Sequence, residues 1–322
     1  MSDCIARSFT LATHNLFNYM APPNAYYQFD NIYTAQEWHK KQRWLSRHLD
    51  DLSADMIGFQ EVFSAQSLEE QTRSLGYQYF ACLAEPKVES DYVYSNPPLA
   101  FASRFPIIKS YSVNSGDIRN LSKQFQFSRA PLHCVVEVPE FGLLNIIVVH
   151  LKSQRSSIEL SPNMDEAQSH EANVHGRFIS SQQRESEADA ISHYVRQLHR
   201  QQSRPCVVLG DFNQDLRSTE LHCLSGEGLA QQKGRLQSSL FDSYLLQASI
   251  AEKRPATHYY GEQGNVLDYV LLSGEFSSQS KLRRGKVVSV EVLDKHLISP
   301  SFEHDQFASD HASVKVTIAN LS

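Results

Sequence analysis

Short apolar runs rich in β-branched and aromatic residues recur along the chain, at residues 9–16, 56–59, 77–83, 99–105, 132–138, 143–151, 206–209, 266–272, 287–292 and 314–318. Runs of this length between polar or turn-forming residues predict strands. Helical patterns fall between some of them. Thr34-Ala35-Gln36-Glu37 and Ser67-Leu68-Glu69-Glu70 both have the form in which a hydroxyl and an acid three residues later satisfy orphan amides reciprocally. They predict helices over 35–52 and 68–75, the second stopped by Gly76. A third helix is expected from 184 to about 202, with Ala188, Ile191, Val195 and Leu198 on one stripe. Strands outnumber helices and several follow one another closely, which favours an α/β (α+β) sandwich with antiparallel pairs over a parallel barrel. Two stretches break the pattern, the aromatic-rich 17–33 and the polar 153–183, and both are expected to be long functional or mobile loops. Neither has the Gly/Ser content of a linker, so one domain over 1–322 is expected.

The chain has 322 residues, 41% hydrophobic and 20% charged, with 13 Gly and 12 Pro, which excludes disordered, collagenous and disulfide-scaffold classes. Lys plus Arg number 30 against 36 Asp plus Glu, a net charge of -6. No basic field advertises nucleic acid, so a phosphate-bearing substrate would need local arginines or bound cations. Cys4, Cys82, Cys134, Cys206 and Cys223 are scattered without paired spacing and read as buried free thiols. The first ten residues lack an apolar signal region, and the longest apolar run, 143–149, is far short of a membrane span, so a cytoplasmic location is expected, although a mature secreted chain would look similar.

Polar, metal-competent residues stand at the ends of apolar runs in six places, where a rigid strand end can hold a reactive group in position. They are Asn15, Gln60-Glu61, His150, Gly210-Asp211-Phe212-Asn213, Asp268 and Ser309-Asp310-His311. Taken singly, each has an ordinary explanation as a solvated loop acid, a hydrogen-bonded core histidine or a turn. Asp268 differs, because an acid inside Val266-Leu267-Asp268-Tyr269-Val270 is costly to bury without a cationic or protonated partner such as a histidine.

In order and spacing these residues, together with Ser128-Arg129 and Pro131, resemble the endonuclease/exonuclease/phosphatase superfamily, most of all its deoxyribonuclease I group. The resemblance spans nearly the whole chain and implies a four-layer sandwich, two mixed β-sheets packed face to face with helices outside. It implies a Mg²⁺ site (Mn²⁺ possible) with Glu61 as principal ligand, Asn15 beside it and Asp310 nearby. It pairs Asp268 with His311, which either takes a proton from the attacking water or holds the scissile phosphate. Asp211 and Asn213 would align the water and a phosphate oxygen, His150 would donate to the phosphate or leaving oxygen, and Arg129 would bind the phosphate as a planar fork. The leading expectation is a monomeric Mg²⁺-dependent phosphodiesterase acting on nucleic acid, DNA before RNA, without a membrane span. The alternatives are a phosphatase or phospholipase acting on a phosphorylated lipid, inositol or nucleotide, and a non-catalytic scaffold, against which the intact ligand set argues. Phe63 stands where deoxyribonuclease I has a groove-reading arginine, which speaks against minor-groove binding of that kind. Arg104 is open between a site role and a surface ion pair. Tyr19, Tyr26, Tyr27 and Tyr33 either stack on bases or pack on their own domain.

Overall fold

The computed structural model describes residues 8–119, 121, 124–224, 239–250 and 254–321. Cys4 lies outside them. Twelve strands build the two large sheets among these residues: β1 (Ser8–Tyr19), β2 (Met56–Val62), β3 (Tyr79–Ala81), β4 (Ala100–Ser103), β5 (Ile107–Ser112), β6 (Leu132–Val138), β7 (Gly142–His150), β8 (Cys206–Asp211), β9 (Leu240–Asp242), β10 (Asp268–Ser273), β11 (Gly285–Leu293) and β12 (Ser313–Asn320). One sheet has the order β11-β12-β1-β2-β4-β3 and the other β9-β10-β8-β7-β6-β5. Each is mixed: β1–β2 and β7–β8 run parallel, and their neighbours antiparallel. All ten predicted runs coincide with strands, while β5 and β9, short or half-exposed, were not signalled.

The apolar faces of the two sheets close on each other. Leu11, Met56, Phe101, Val314 and Val316 of the first pack with Ile146, Val148, Leu209 and Val270 of the second. Helices cover the outer faces, so the four-layer sandwich implied by the family resemblance is the observed fold. The first sheet is covered by α1 (Ala35–Leu52) and α2 (Ala65–Ser74), with Trp44, Leu45 and Leu49 packed on Ile57 and Phe59. The second is covered by α3 (Glu166–Gln202), whose Ala188, Ile191, Val195 and Leu198 form the expected stripe against Ile147, Val149 and Val208.

The helix ends show which local signals sufficed. Thr34 caps α1 as predicted, its Oγ1 accepting from Glu37 N and the Glu37 carboxylate accepting from Thr34 N. By contrast, α2 begins at Ala65, and Ser67 and Glu70 make no box. The chain is turned earlier by Ser64, whose hydroxyl accepts from Ala21 N at 2.8 Å, and Glu70 instead accepts from Gln66 Nε2. Gly76 does follow the end of α2, in the left-handed region at φ +88°. The largest correction concerns 153–183, which is mostly helix rather than loop, since α3 starts at Glu166 instead of 184. Asp165 and Gln168 form a reciprocal cap there. The added turns gave no amphipathic signal because they bury little: Val174 and Phe178 are exposed, and Gly176 and Ser180 are the buried positions before Arg184. The stretch 17–33 is also partly ordered, because β1 runs on to Tyr19 and Ala25–Tyr26 pairs with Val93–Ser95 in a small outlying sheet.

The remaining described cysteines are free, Cys134 and Cys206 buried and Cys82 and Cys223 half-buried. No described helix is long and apolar enough to cross a membrane.

Gly58, in the middle of β2, sets how closely the sheets approach: a Cβ there would lie 2.2 Å from Leu209 Cδ1 and 3.1 Å from both Val148 methyls. Gly58→Val is expected to lower the unfolding free energy by about 1–3 kcal/mol through overpacking. Gly116, with nothing within 4 Å of its would-be Cβ, serves as the control. Urea unfolding of Gly58→Val and Gly116→Ala checks this, and equal stabilities would refute it.

Candidate active site

The strand topology gathers the six predicted places at one edge of the sandwich. The parallel strands β1, β2, β7 and β8 end where their antiparallel neighbours β10 and β12 begin. Asn15 therefore lies opposite Gln60, His150 opposite Asp211, and Asp211 opposite Asp268. Asn15 bridges the two sheets, its Nδ2 donating to Asp211 Oδ2 at 3.2 Å and to Glu61 Oε1 at 3.4 Å. Ser309 ties the last strand to the first, donating to Asn15 O at 2.6 Å and accepting from His311 N.

On the acidic side the backbone turns sharply. Phe17, Asn18 and Glu61 all adopt left-handed conformations, at φ 51°, 57° and 60°. Such positions are costly for residues with a Cβ and concentrate where a function requires them. Their effect is to aim amides inward: Asn18 N donates to Glu61 Oε2 at 2.9 Å, and Phe17 N donates to Asn15 Oδ1 at 3.0 Å. Beneath this turn Lys41, buried on α1, donates to Phe17 O at 2.8 Å. Burial holds its ammonium down to about 8, against the opposing pull of Glu61 and Asp310. Asp310 Oδ1 is enclosed without a partner. Glu61, Asp310 and the remaining lone pair of Asn15 Oδ1 are hard oxygen donors of the kind that suits Mg²⁺.

The other side is built around His311. Its Nδ1 donates to Asp268 Oδ2 at 2.8 Å, and its Nε2 lies 3.9 Å from Asp211 Oδ2. Burial works against a charged ring, but the two carboxylates outweigh it and hold the His311 pKa well above the ordinary histidine value. Burial likewise pushes Asp211 up to about 7, despite the attraction of His311. His150 Nε2 is 3.5 Å from the same Asp211 oxygen, and its Nδ1 has no partner. Burial, with the charges of Arg129 and His311, holds His150 far below its usual range, so the ring is neutral. Asn213, left-handed at φ 54°, donates from Nδ2 to Leu151 O and from N to Asp211 Oδ1.

Arg129 stands at the rim with its Nε enclosed and unpartnered. Glu187 of α3 anchors the segments around it, accepting from Ser128 N and Lys152 N at 2.7 Å each. Tyr27 is close enough to feel both Glu61 and Arg129: burial and Glu61 push its phenol up while Arg129 pulls it down. It is 41% exposed and lies edge-on to the buried Phe63 at 5.6 Å. Tyr26 packs on Phe63 and Tyr33, and Tyr19 is wholly buried. Arg104 stacks over Tyr77 at 4.6 Å, which makes it a packing residue.

Sequence reasoning missed Lys41, Glu187, Thr257 and His258. Lys41 sits on the apolar stripe of α1 between Trp38 and Leu45, an inward position that a lysine occupies only with a partner. Thr257 Oγ1 accepts from Leu267 N and Asp268 N, fixing the start of β10. His258 opens a hairpin of two three-residue strands, too short for periodicity to reveal, and bridges directly to His311. Among the described residues two sets hold donor atoms within 4.8 Å of one another, Asp211–Asp268–His311 and His258–Asp310–His311.

Comparison with known proteins agrees with this architecture. Residues 12–311 match the profile of the Endonuclease/Exonuclease/phosphatase family. The catalytic domain of human Nocturnin, solved with a bound sulfate, superposes with a TM-score of 0.59 at 17% identity, covering 97% of this chain and 94% of that one. Truncated Caenorhabditis elegans TDP2 gives 0.58 at 12% identity, covering 97% of each. ANGEL2, described as a 2',3'-cyclic phosphatase, gives 0.60 at 11% identity, covering 97% of this chain and 95% of that one. At these identities the likeness concerns the fold. No curated protein sequence matches the chain.

The electrostatics predict a distinctive titration. In ring-nitrogen NMR of the metal-free protein, His311 should titrate above the ordinary value of about 6.5, His150 should stay neutral, and Asp268→Asn should bring His311 down. A His311 midpoint unchanged by Asp268→Asn would refute the pairing. Both raised groups bind protons more tightly in the folded state, so each makes stability fall as pH rises. For Asp211 the window runs from its ordinary 3.8 to about 7, and for His311 it opens near its ordinary value and closes above it.

Proposed function

This chain belongs to the endonuclease/exonuclease/phosphatase family, whose members hydrolyse phosphoester bonds, and we propose that it is a Mg²⁺-dependent phosphodiesterase that cleaves nucleic acid, DNA in particular, with residues 1–322 acting as one catalytic domain. The observation that supports this most is the imidazole of His311 held between Asp268 and Asp211 at the edge where Asn15 and Glu61 converge.

Hydrolysis of an anionic diester needs charge neutralisation, an aligned water and a protonated leaving oxygen. Glu61, Asn15 and Asp310 are the proposed ligands of Mg²⁺, with Mn²⁺ as a substitute, and the ion would supply neutralisation at the phosphate and leaving oxygen. As an imidazolium, His311 donates from Nε2 to a phosphate oxygen while Asp268 fixes its orientation. Asp211, with a proton affinity near neutrality, is matched to take a proton from the attacking water. Asn213 orients that water, neutral His150 donates a hydrogen bond from its free Nδ1 to the leaving oxygen, which takes its proton from solvent, and Arg129 grips the phosphate. Tyr27, half-exposed beside Glu61 and Arg129, is placed to stack on an unpaired base next to the scissile bond. With a net charge of -6, binding to duplex DNA should be weak and only shallowly salt-dependent.

The test is a panel of plasmid DNA, single-stranded DNA, RNA, bis-p-nitrophenyl phosphate and p-nitrophenyl phosphate, each with Mg²⁺, Mn²⁺ or excess chelator. Hydrolysis of the diesters that stops in chelator is expected. Preference for the monoester would replace the nuclease reading with the phosphatase one, and full activity in chelator would remove the metal. Glu61→Gln should keep the fold and lose most Mn²⁺ affinity in calorimetry. Tyr27→Ala should raise KM on single-stranded DNA while sparing bis-p-nitrophenyl phosphate, and equal losses on both would assign the tyrosine to the framework.

A further inference from the structure

His258, whose ring lies beside that of His311, has no role in the hydrolytic scheme. The hairpin that carries it is pinned on both sides: Thr257 O accepts from Ala312 N at 2.7 Å, and Thr257 Oγ1 holds the amides of Leu267 and Asp268. That pinning leaves the His258 ring 4.9 Å from the His311 ring. One imidazole nitrogen of each ring and an Asp310 oxygen lie within 4.8 Å of one another. His258 Nδ1 and Asp310 Oδ1 are both enclosed without a hydrogen-bond partner.

Two imidazoles and one carboxylate are a poor set for Mg²⁺, which requires oxygen ligands in an octahedron. They are the set that Zn²⁺ accepts, three protein ligands with a fourth position left for water or a substrate oxygen. His311 is already arranged as a zinc-binding histidine needs to be, because its Nδ1–H is held by the Asp268 carboxylate and its Nε2, 3.9 Å from Asp211 Oδ2, makes no hydrogen bond among the described residues that would have to be broken. His258 and Asp310 are only partly buried, and a zinc site would require their ligand atoms to close to metal–ligand distances of roughly 2 Å. The set Asp211–Asp268–His311, by comparison, is wholly buried and internally paired.

We propose that His258, Asp310 and the Nε2 of His311 form a binding site for a borderline transition-metal ion, Zn²⁺ above all, and that its occupancy inhibits phosphoester hydrolysis by withdrawing His311 from the substrate and Asp310 from the proposed Mg²⁺ ligand set. The inhibitory part rests on the roles given to His311 and Asp310 above, whereas the binding part stands independently. On binding, the ion takes the Nε2 lone pair and any proton there passes to solvent, with no change in oxidation state.

The experiment uses the full chain in excess Mg²⁺. Zn²⁺ binding is read by competition with a chromophoric chelator, and Co²⁺ substitution by visible absorption, for the wild type, His258→Phe and His258→Gln. One equivalent bound, a tetrahedral Co²⁺ spectrum and a loss of affinity of about tenfold or more in both variants are expected. Asp268→Asn, which removes no ligand, should also weaken Zn²⁺ binding about 10–100-fold by releasing the ring of His311. In parallel, Zn²⁺ should inhibit Mg²⁺-supported hydrolysis by the wild type at concentrations about tenfold lower than it inhibits His258→Phe. Equal Zn²⁺ affinity in wild type and both His258 variants would overturn the proposal, as would the absence of saturable binding. Failure of the diesterase reading would show separately, as a zinc-free protein inactive on every diester.

Discussion

Two carboxylates buried on adjacent strands, Asp211 and Asp268, with one imidazole to share between them, are the constraint on which the catalytic edge depends. Neither acid can be enclosed as a bare charge without a large desolvation cost. Bringing His311 between them resolves the conflict asymmetrically: Asp268 receives the short hydrogen bond, while Asp211, at longer range, is pushed toward neutrality. The carboxylates thus favour a protonated ring against the cost of its burial, while burial raises the proton affinity of Asp211. These are the two kinds of group that water attack on a phosphodiester calls for.

That burial is achieved by the sandwich. Closing the two sheets along Leu11, Met56, Val148 and Leu209 places the ends of their central strands side by side. Gly58, against Leu209, allows the approach. Asn15 then reaches from one sheet to Asp211 of the other. Around this centre the left-handed turn at Phe17 and Asn18 is clamped by Lys41 from below, and Glu187 ties Ser128, next to Arg129, to Lys152, just beyond His150. The site is therefore supported from α1 and α3 as well as from the strands.

Much of this was legible in the sequence. Strand runs and the Thr34–Glu37 cap depend on local patterns, and the structure contains both. The six strand-end places were visible because a polar residue after an apolar run stands out; burial cost called for a cationic or protonated partner for Asp268, and the family resemblance pointed to His311 as that partner. What was hidden depended on tertiary context. The first turns of α3 bury too little to show a helical period, and α2 already starts at Ala65, with Ser64 at its N-cap, so that Ser67 lies inside the helix. His258 lies in a hairpin whose strands are too short to announce themselves, and it meets His311 only through the fold.

The central claim, that Asp268 and His311 act as one unit in phosphodiester hydrolysis, is tested most directly by a double-mutant cycle on kcat for bis-p-nitrophenyl phosphate. Asp268→Asn and His311→Ala should each lower kcat by about two orders of magnitude or more. The double variant should then be little worse than His311→Ala alone, since residues acting together are strongly non-additive. Losses that multiply in the double variant would mean that the two residues contribute independently and that the buried pair is not the working element of the site.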